Sequence, residues 1–269
     1  METWQIGCYT RPWGAYGYRV AFDAIAEAGF KYVGLMSADS KTKLVLTPAN
    51  TAEESLQIGE EAKKRQLKII STYGSGPPVA KSLQAGIDWL RKLVDNCALA
   101  GSPSILLAGI NKPSLEKAYY QVIGECCGYA AGKNVQLILK PHGPLNATGR
   151  LCRQWIEKVG HPNFQMWYDP GNVLIYSNGM IDPALDAETV AGFVTGMCVK
   201  DYQQVPKTVN ITPGTGHVDF AAVLAHLRGD PPGGFTHGPL VVETLTCGTQ
   251  GELIQEARKA REFLEVLTG

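Results

Sequence analysis

Strand and helix patterns alternate along the whole chain, and this alternation limits the possible folds more than any other feature of the sequence. Apolar runs bounded by turn residues predict strands at 4–9, 31–36, 67–72, 104–108, 135–140, 164–169, 193–200 and 239–243. Eight strand–helix pairs in about 250 residues is the repeat count of a (β/α)8 barrel. A doubly wound open sheet also alternates strands and helices, but it usually needs fewer pairs. We therefore predict an α/β protein whose residues 1–269 form a single (β/α)8 TIM barrel domain.

The predicted helices are placed by their apolar spacing and by helix-capping residues. Thr51 and Glu54 have the spacing of a capping box, and Ser114 is the predicted N-cap of the fourth helix. The stretch 170–191 is predicted to be a long loop with a short helical piece at 183–189. The other helical patterns cover 18–28, 82–100, 148–159, 218–227 and 251–267.

Composition and charge exclude several classes of function. The formal net charge is zero, which argues against nucleic-acid binding because that needs a basic face. No apolar run approaches the roughly 20 residues of a membrane span, and the first residues lack the pattern of a signal peptide. The seven cysteines are an odd number without a C-x-x-C pair, as expected of reduced thiols used as small buried side chains. These features predict a cytoplasmic protein without nucleic-acid or membrane partners.

The fifth predicted strand, in the stretch VQLILKPHG, ends in residues that a buried strand seldom carries. Lys140 stands at its end, and a buried ammonium group needs a partner or a lowered pKa. His142 follows two residues later and points to the same side of an extended chain. Asp169, Cys198 and Glu243 stand at the ends of three later strands. Because these ends meet at one face of a barrel, we predict that Lys140 and the three later side chains converge.

Further polar and aromatic side chains are candidates for substrate contacts because they follow predicted strands. Arg11 could anchor a hydroxyl or a carboxylate, and Trp13 could stack on the face of a sugar. His217 follows a Gly-Thr-Gly turn after the seventh strand. Each of these three could equally be an ordinary loop residue. The predicted substrate-binding residues are His142, Asn172, Lys200, His217, Arg11, Trp13 and Tyr73.

The chain resembles the xylose-isomerase-like TIM barrels, which include ketose epimerases, dehydratases and an AP endonuclease. The resemblance rests on the strings LKPHG, YDPGN, CVKD and VVETL, in this order and at these intervals. It implies a divalent cation held by Glu, Asp, His and Glu from strands five to eight. Asp169 and Glu243 match two of these ligands, whereas Lys140 replaces the first Glu and Cys198 replaces the His. Asn172 stands where a substrate-contacting His often lies.

These departures leave three alternatives for the metal site. Lys140, Asp169 and Glu243 sum to +1 − 2 = −1, the same charge as three carboxylates and a divalent ion, −3 + 2 = −1. A metal-free site centred on Lys140 is the first alternative, and no cofactor is favoured. Zinc accepts Cys and His, so Asp169, Glu243 and Cys198, together with His142, could instead hold Zn, with Mn or Mg as further candidates. The third alternative is a degenerate pocket without catalysis.

The resemblance and the candidate residues together predict an enzyme that acts on a sugar, a keto-sugar or a cyclitol. The expected step is proton abstraction next to a carbonyl, which leads to isomerisation, epimerisation or elimination. Glu243 would be the base, and Lys140 would polarise the carbonyl as an ammonium or a Schiff base. Asp169 would hold Lys140 in place. Since Lys140 and Glu243 belong to strands five and eight, they are expected to address opposite faces of the substrate.

The predicted partner is a small carbohydrate. A homo-oligomer is compatible with the sequence, and the alternative function is non-catalytic sugar binding.

Overall fold

Eight parallel strands follow one another around a closed barrel in the order of the sequence. The structure is a computed structural model that describes residues 3–37, 43–229 and 234–269. The last strand pairs with the first, with Trp4 opposite Gly238 and Cys8 opposite Val242. The strands are β1 Trp4–Tyr9, β2 Tyr32–Leu35, β3 Lys68–Tyr73, β4 Ser104–Leu107, β5 Gln136–Leu139, β6 Phe164–Tyr168, β7 Val194–Val199 and β8 Gly238–Val242. The predicted single-domain (β/α)8 barrel is confirmed.

Helices surround the barrel and connect its strands. A 3₁₀ helix, Arg11–Tyr16, precedes the first α-helix. The α-helices of the described residues are α1 Tyr18–Glu27, α2 Ala52–Lys64, α3 Leu83–Ala100, α4 Pro113–Gly132, α5 Gly149–Val159, α6 Pro170–Tyr176, α7 Pro183–Glu188, α8 Phe220–Arg228 and α9 Gln250–Thr268. In the part of the chain that the structure describes, none of the helices combines the length and the apolar character that a membrane crossing requires.

The capping signals were correct for α2 and wrong for α4. Thr51 Oγ1 accepts a hydrogen bond from the Glu54 backbone N–H at 3.1 Å, and Glu54 Oε2 accepts from the Thr51 N–H at 2.8 Å. This is the predicted capping box. In contrast, α4 begins at Pro113 and not after Ser114. Proline suits the first helical position because the N–H that it lacks would have no partner there.

The predicted loop at 170–191 is wrong in its first part, which forms helix α6. Asp169 caps this helix, since its Oδ1 accepts a hydrogen bond from the Asn172 backbone N–H at 3.0 Å. Pro170 occupies the first turn, where its fixed φ is favourable. The predicted helical piece near 183–189 is present as α7. Because α6 follows β6 directly, it brings Asn172 and Tyr176 to the C-terminal face of the barrel.

The inside of the barrel is filled by side chains of the strands themselves. This interior cluster consists of Tyr9, Met36, Ile70, Leu106, Ile138, Trp167, Cys198 and Val241. Strand β7 continues through Gly196, which pairs with Trp167 on β6. A β-carbon at Gly196 would collide with the Trp167 indole, so only glycine leaves room for this large ring. The filled interior means that a ligand can enter only at the ends of the strands.

Candidate active site

A pocket of about 1310 Å³ opens at the C-terminal ends of the strands. Six lining residues stand at or just after the ends of different strands: Arg11, Met36, Tyr73, Lys140, Lys200 and Glu243. Residues 43–44 and 46–50 form another part of the wall, and α3 and α6 add Trp89 and Tyr176. Barrels of this kind carry their active sites at this face. The pocket is therefore the candidate active site, and we call it the mouth pocket.

The structure brings Lys140, Asp169 and Glu243 into direct contact at the bottom of the mouth pocket. The Lys140 ammonium donates to Asp169 Oδ2 at 2.9 Å and to Glu243 Oε2. All three side chains are buried. Lys140 and Glu243, which are expected to address opposite faces of a substrate, contact each other directly in this structure.

A second ammonium group, that of Lys200, joins the same cluster. Its Nζ lies 2.7 Å from Glu243 Oε1 and 3.4 Å from Asp169 Oδ2, and it donates to Asn172 Oδ1 at 3.1 Å. Arg11 Nη1 donates to the same Glu243 Oε1 at 2.7 Å. Three cations and two carboxylates sum to +3 − 2 = +1. The charge count made from the sequence was incomplete because it contained neither Lys200 nor Arg11.

Asn172 positions Lys200, and both ends of its amide are used for this. Its Nδ2 donates to the carbonyl oxygen of Pro141 at 2.8 Å, which leaves Oδ1 to accept from Lys200. Gly171 allows the same approach, since a β-carbon there would lie 2.5 Å from the Lys200 carbonyl oxygen and 2.8 Å from its Cγ. The string DPGN thus forms a helix start whose third residue must be small for Lys200 to fit against it.

The electrostatics of the cluster shift the pKa values of Lys140 and Glu243. Burial alone would lower the pKa of Lys140, but the charges of the Asp169 and Glu243 carboxylates outweigh it and hold that pKa well above its usual value. Burial alone would raise the pKa of Glu243, but Lys140, Lys200 and Arg11 hold it well below its usual value. Lys140 is therefore an ammonium and Glu243 a carboxylate at neutral pH. A Schiff base needs a free amine, so the geometry favours the ammonium role.

His142 and Tyr176 form a pair on the wall of the mouth pocket. His142 Nε2 and the Tyr176 hydroxyl are 3.2 Å apart. Burial, followed by the charges of Lys140 and Lys200, lowers the pKa of His142 to about 4, so its ring is neutral at pH 7. Tyr176 was missed in the sequence because it lies on α6. The Asp-Pro start of that helix was the signal that could have revealed it.

Four predicted site residues do not line the mouth pocket, and one of them is Asp169, which lies just behind its wall. Trp13 is fully buried in the core, because the 3₁₀ helix that leaves Arg11 partly exposed directs the Trp13 ring inward. The predicted stacking of Trp13 on a sugar is therefore wrong. His217 is exposed, and its Nδ1 lies 3.1 Å from the Tyr202 carbonyl oxygen, away from the pocket residues. Cys198 belongs to the interior cluster below the pocket. The remaining predicted contacts line the pocket: Arg11, Tyr73, His142, Asn172 and Lys200.

Asp169, Cys198 and Glu243 could form a metal site by distance, but their surroundings do not fit a divalent ion. One ligand atom from each of the three lies within 4.8 Å of the others. Both carboxylates, however, accept hydrogen bonds from Lys140, and Lys200 lies against both as well. Burial raises the pKa of Cys198 well above its usual value, so the sulfur is a neutral thiol. A hard ion such as Mg²⁺ requires oxygen ligands, and a softer one would have to displace two ammonium groups.

A family model for the xylose isomerase-like TIM barrel matches residues 22–267 of this chain. No protein of curated function matches the sequence.

Solved structures with the same fold cover nearly the whole chain at low sequence identity. D-psicose 3-epimerase with D-tagatose from Clostridium cellulolyticum H10 is 15% identical with a TM-score of 0.74, covering 100% of this chain and 99% of its own. A xylose isomerase-like TIM barrel protein from Mycobacterium smegmatis in complex with magnesium is 15% identical with a TM-score of 0.77, covering 99% and 97%. The probable 3-DHS dehydratase involved in petrobactin synthesis from Bacillus anthracis is 13% identical with a TM-score of 0.72, covering 98% and 99%. At these identities the likeness is one of fold.

Proposed function

This chain belongs to the xylose isomerase-like TIM barrel family, and from that premise we propose that it is an enzyme of the sugar isomerase and epimerase kind. Its reaction moves a proton on a carbon next to a carbonyl of a sugar, a keto-sugar or a cyclitol. One observation carries the proposal. A carboxylate, Glu243, and an ammonium, Lys140, are in contact at the bottom of a pocket at the C-terminal face of the barrel. A base next to a group that stabilises an oxyanion is what this chemistry requires.

In the proposed step, the substrate carbonyl oxygen takes the place of Glu243 Oε2 as an acceptor for Lys140. The freed Oε2 removes the proton from the neighbouring carbon, and the electron pair of that C–H bond forms an enediolate. The oxyanion then accepts hydrogen bonds from the Lys140 ammonium. Return of the proton from Glu243 to the other carbon, with transfer of the hydroxyl proton between the two oxygens, gives an isomer. An epimer forms when a water molecule on the opposite face donates the proton to the first carbon and Glu243 passes its own proton to solvent. Elimination occurs when a β-hydroxyl group takes the proton from Glu243 and leaves as water.

The exchange of partners also explains how Glu243 can act as a base. While Lys140, Lys200 and Arg11 all contact it, its low pKa makes it a weak base. A substrate that engages Lys140 removes one of these three cations and raises the basicity of the carboxylate. Asp169 does not line the mouth pocket. It acts as a positioning residue that holds both ammonium groups at its Oδ2.

In this proposal the two ammonium groups supply the positive charge that the resemblance assigns to a divalent ion. Lys140 and Lys200 lie at the same two carboxylates that would be its ligands. Ammonium groups can stabilise a developing oxyanion through charge-assisted hydrogen bonds. The reaction is therefore expected to proceed in the presence of a chelator.

The second candidate is a sugar-binding protein without catalysis, and one observation favours it. Every carboxylate oxygen of Asp169 and Glu243 accepts a hydrogen bond or ion pair within the protein. A cluster that stays closed when a ligand binds would leave no free base. This candidate predicts saturable binding of sugars without proton exchange.

Deuterium exchange in D₂O distinguishes the two candidates. Ketoses such as D-fructose, D-psicose and D-tagatose, together with keto-cyclitols and keto-acids, are incubated with the chelator-treated protein and analysed by NMR. We expect deuterium on a carbon next to the carbonyl of at least one of them. Glu243→Gln should abolish this exchange, whereas Glu157→Gln, at an exposed ion pair on α5, should retain it. Binding without exchange would support the non-catalytic candidate, and loss of exchange on chelation alone would contradict the metal-free reaction.

A further inference from the structure

We infer that the ligand of the mouth pocket carries an anionic group, a carboxylate or a phosphate, which binds to the guanidinium of Arg11. The inference rests on the proposed function only in taking the rest of the ligand to be a sugar. The fold alone does not determine whether the substrate is neutral or anionic.

The charge of the pocket lining differs from that of the whole chain. Lysine and arginine equal aspartate and glutamate in number over the full sequence, 25 against 25. Among the described residues, Arg11, Lys140 and Lys200 contact Glu243 at the bottom of the mouth pocket, and Asp169 lies just behind its wall. These five groups have a net charge of +3 − 2 = +1. An excess of positive charge in a concave site attracts anions.

The carboxylate oxygens of the mouth pocket already accept hydrogen bonds within the protein. Glu243 accepts at Oε1 from Arg11 and Lys200 and at Oε2 from Lys140. Glu54, at the rim, accepts from the Thr51 backbone N–H at its helix cap. A neutral sugar presents both donors and acceptors, so at these carboxylates its hydroxyl protons would compete with hydrogen bonds that the protein already makes. A carboxylate or phosphate presents acceptors only, and it matches this lining.

Arg11 is the cation placed to receive the anionic group. Among the described residues, Arg11 contacts Glu243 through a single nitrogen, Nη1. Its side chain is 36% exposed, whereas Lys140 and Lys200 are almost wholly buried against Asp169 and Glu243. The guanidinium has five N–H donors in a planar fork that suits a carboxylate or a phosphate. A ligand could thus place its carbonyl at Lys140 and its anionic end at Arg11.

Three ligands that differ at one carbon test the inference by calorimetry on the full chain. They are D-fructose, D-fructuronate, in which C6 is a carboxylate, and D-fructose 6-phosphate. We expect at least one of the two anions to bind about tenfold more tightly than D-fructose or better. If D-fructuronate binds more tightly than D-fructose 6-phosphate, the anionic group of the ligand is a carboxylate, and the reverse order identifies a phosphate. A preference smaller than about tenfold, or no binding of either anion at millimolar concentration, overturns the inference.

Two arginine variants locate the anion site. Arg11→Gln should abolish the preference, and Arg11→Lys should retain part of it because it keeps the charge but loses the fork. Arg228→Gln removes one positive charge at the exposed end of α8 and should leave the preference unchanged. A preference that survives in folded Arg11→Gln overturns the assignment to Arg11. Circular dichroism of each variant establishes that the fold is intact.

Failure of this inference and failure of the proposed function give different results. Anion preference without any deuterium exchange would contradict the proposed enzyme activity and leave the anion site standing. Deuterium exchange on neutral ketoses that bind as tightly as their acidic counterparts would contradict the anion site and leave the proposed enzyme activity standing.

Discussion

The ammonium nitrogen of Lys140 lies 2.9 Å from Asp169 Oδ2, and the two side chains are only 1% and 0% exposed. Removing one charge from a buried pair leaves the other without compensation, which costs about 3 kcal/mol or more. We predict that Asp169→Asn lowers the free energy of unfolding by about 3 kcal/mol, since it leaves the cluster at +3 − 1 = +2. Urea denaturation at pH 7 measures this loss. The control Glu157→Gln, at an exposed pair with Arg153, should cost less than about 1 kcal/mol. Equal effects of the two variants would contradict the prediction.

Removing Lys140 itself should be less harmful than removing its partner. Lys140→Met leaves Lys200 and Arg11 against Asp169 and Glu243, a charge of +2 − 2 = 0. Methionine also fills much of the lysine volume with an apolar chain, and such replacements of buried charges are often tolerated. We predict a smaller loss of unfolding free energy for Lys140→Met than for Asp169→Asn in the same urea titration. The reverse order would show that the cluster is not governed by its net charge.

Gly171→Ala should displace Lys200. The new β-carbon would lie 2.5 Å from the Lys200 carbonyl oxygen, a backbone atom that cannot move without shifting the end of β7. Overpacking of this kind typically costs about 1–3 kcal/mol, and we expect that loss in thermal or urea unfolding. Gly128→Ala, at a position on α4 with nothing within 4 Å of the added carbon, should instead be neutral or stabilising. Destabilisation by Gly128→Ala to the same extent would point to a general intolerance of added side chains.

The features that could be predicted from the sequence are those whose positions follow from the barrel topology or from local spacing. Lys140, Asp169 and Glu243 could be expected to meet because each follows a parallel strand, and these ends gather at one face. The capping box at Thr51 could be predicted because it involves residues three apart. Such features depend on local spacing or on the topology of the fold.

The parts that were not predicted depend on side-chain direction. Trp13 and Arg11 are two residues apart in one 3₁₀ turn, yet one ring is buried in the core and the other side chain lines the pocket. The contact of Lys200 with Glu243 depends on the space left by Gly171. Lys200 and Glu243 follow different strands, so no spacing within the sequence reveals their contact.

His142 should make stability depend on pH between its two pKa values. Its usual pKa is 6.5 and its folded pKa is about 4, so between these values the unfolded chain binds more protons and stability falls as the pH falls. The slope approaches about 1.4 kcal/mol per pH unit at its steepest. We predict that the advantage of the wild type over His142→Gln is complete above pH 6.5 and is lost on lowering the pH toward 4. The titratable groups that act on His142 are Lys140, Lys200, Glu243, Asp169 and its neighbour Tyr176.

Two measurements check the behaviour of His142. Urea titrations of the wild type and His142→Gln across this pH range give the difference in unfolding free energy. An NMR titration of the His142 ring gives its pKa directly. A ring that titrates near its usual value, or a difference that is constant with pH, would contradict the buried, neutral histidine.

The chain departs at positions 140 and 198 from the ligand set that the resemblance implies. Lys140→Glu combined with Cys198→His changes the cluster from +3 − 2 = +1 to +2 − 3 = −1 and supplies three carboxylates and an imidazole. Such a set suits Mn²⁺, and a bound divalent ion would bring the total to +1, the charge of the unmodified cluster. We predict that the double variant binds one Mn²⁺ in calorimetric titration and that the unmodified protein does not.

Lys140→Glu alone should bind Mn²⁺ at least about tenfold more weakly than the double variant, because the buried thiol of Cys198 remains a poor ligand for this ion. Stoichiometric Mn²⁺ binding by the unmodified protein, lost in Asp169→Asn and in Glu243→Gln, would show that the two carboxylates hold a metal in spite of Lys140.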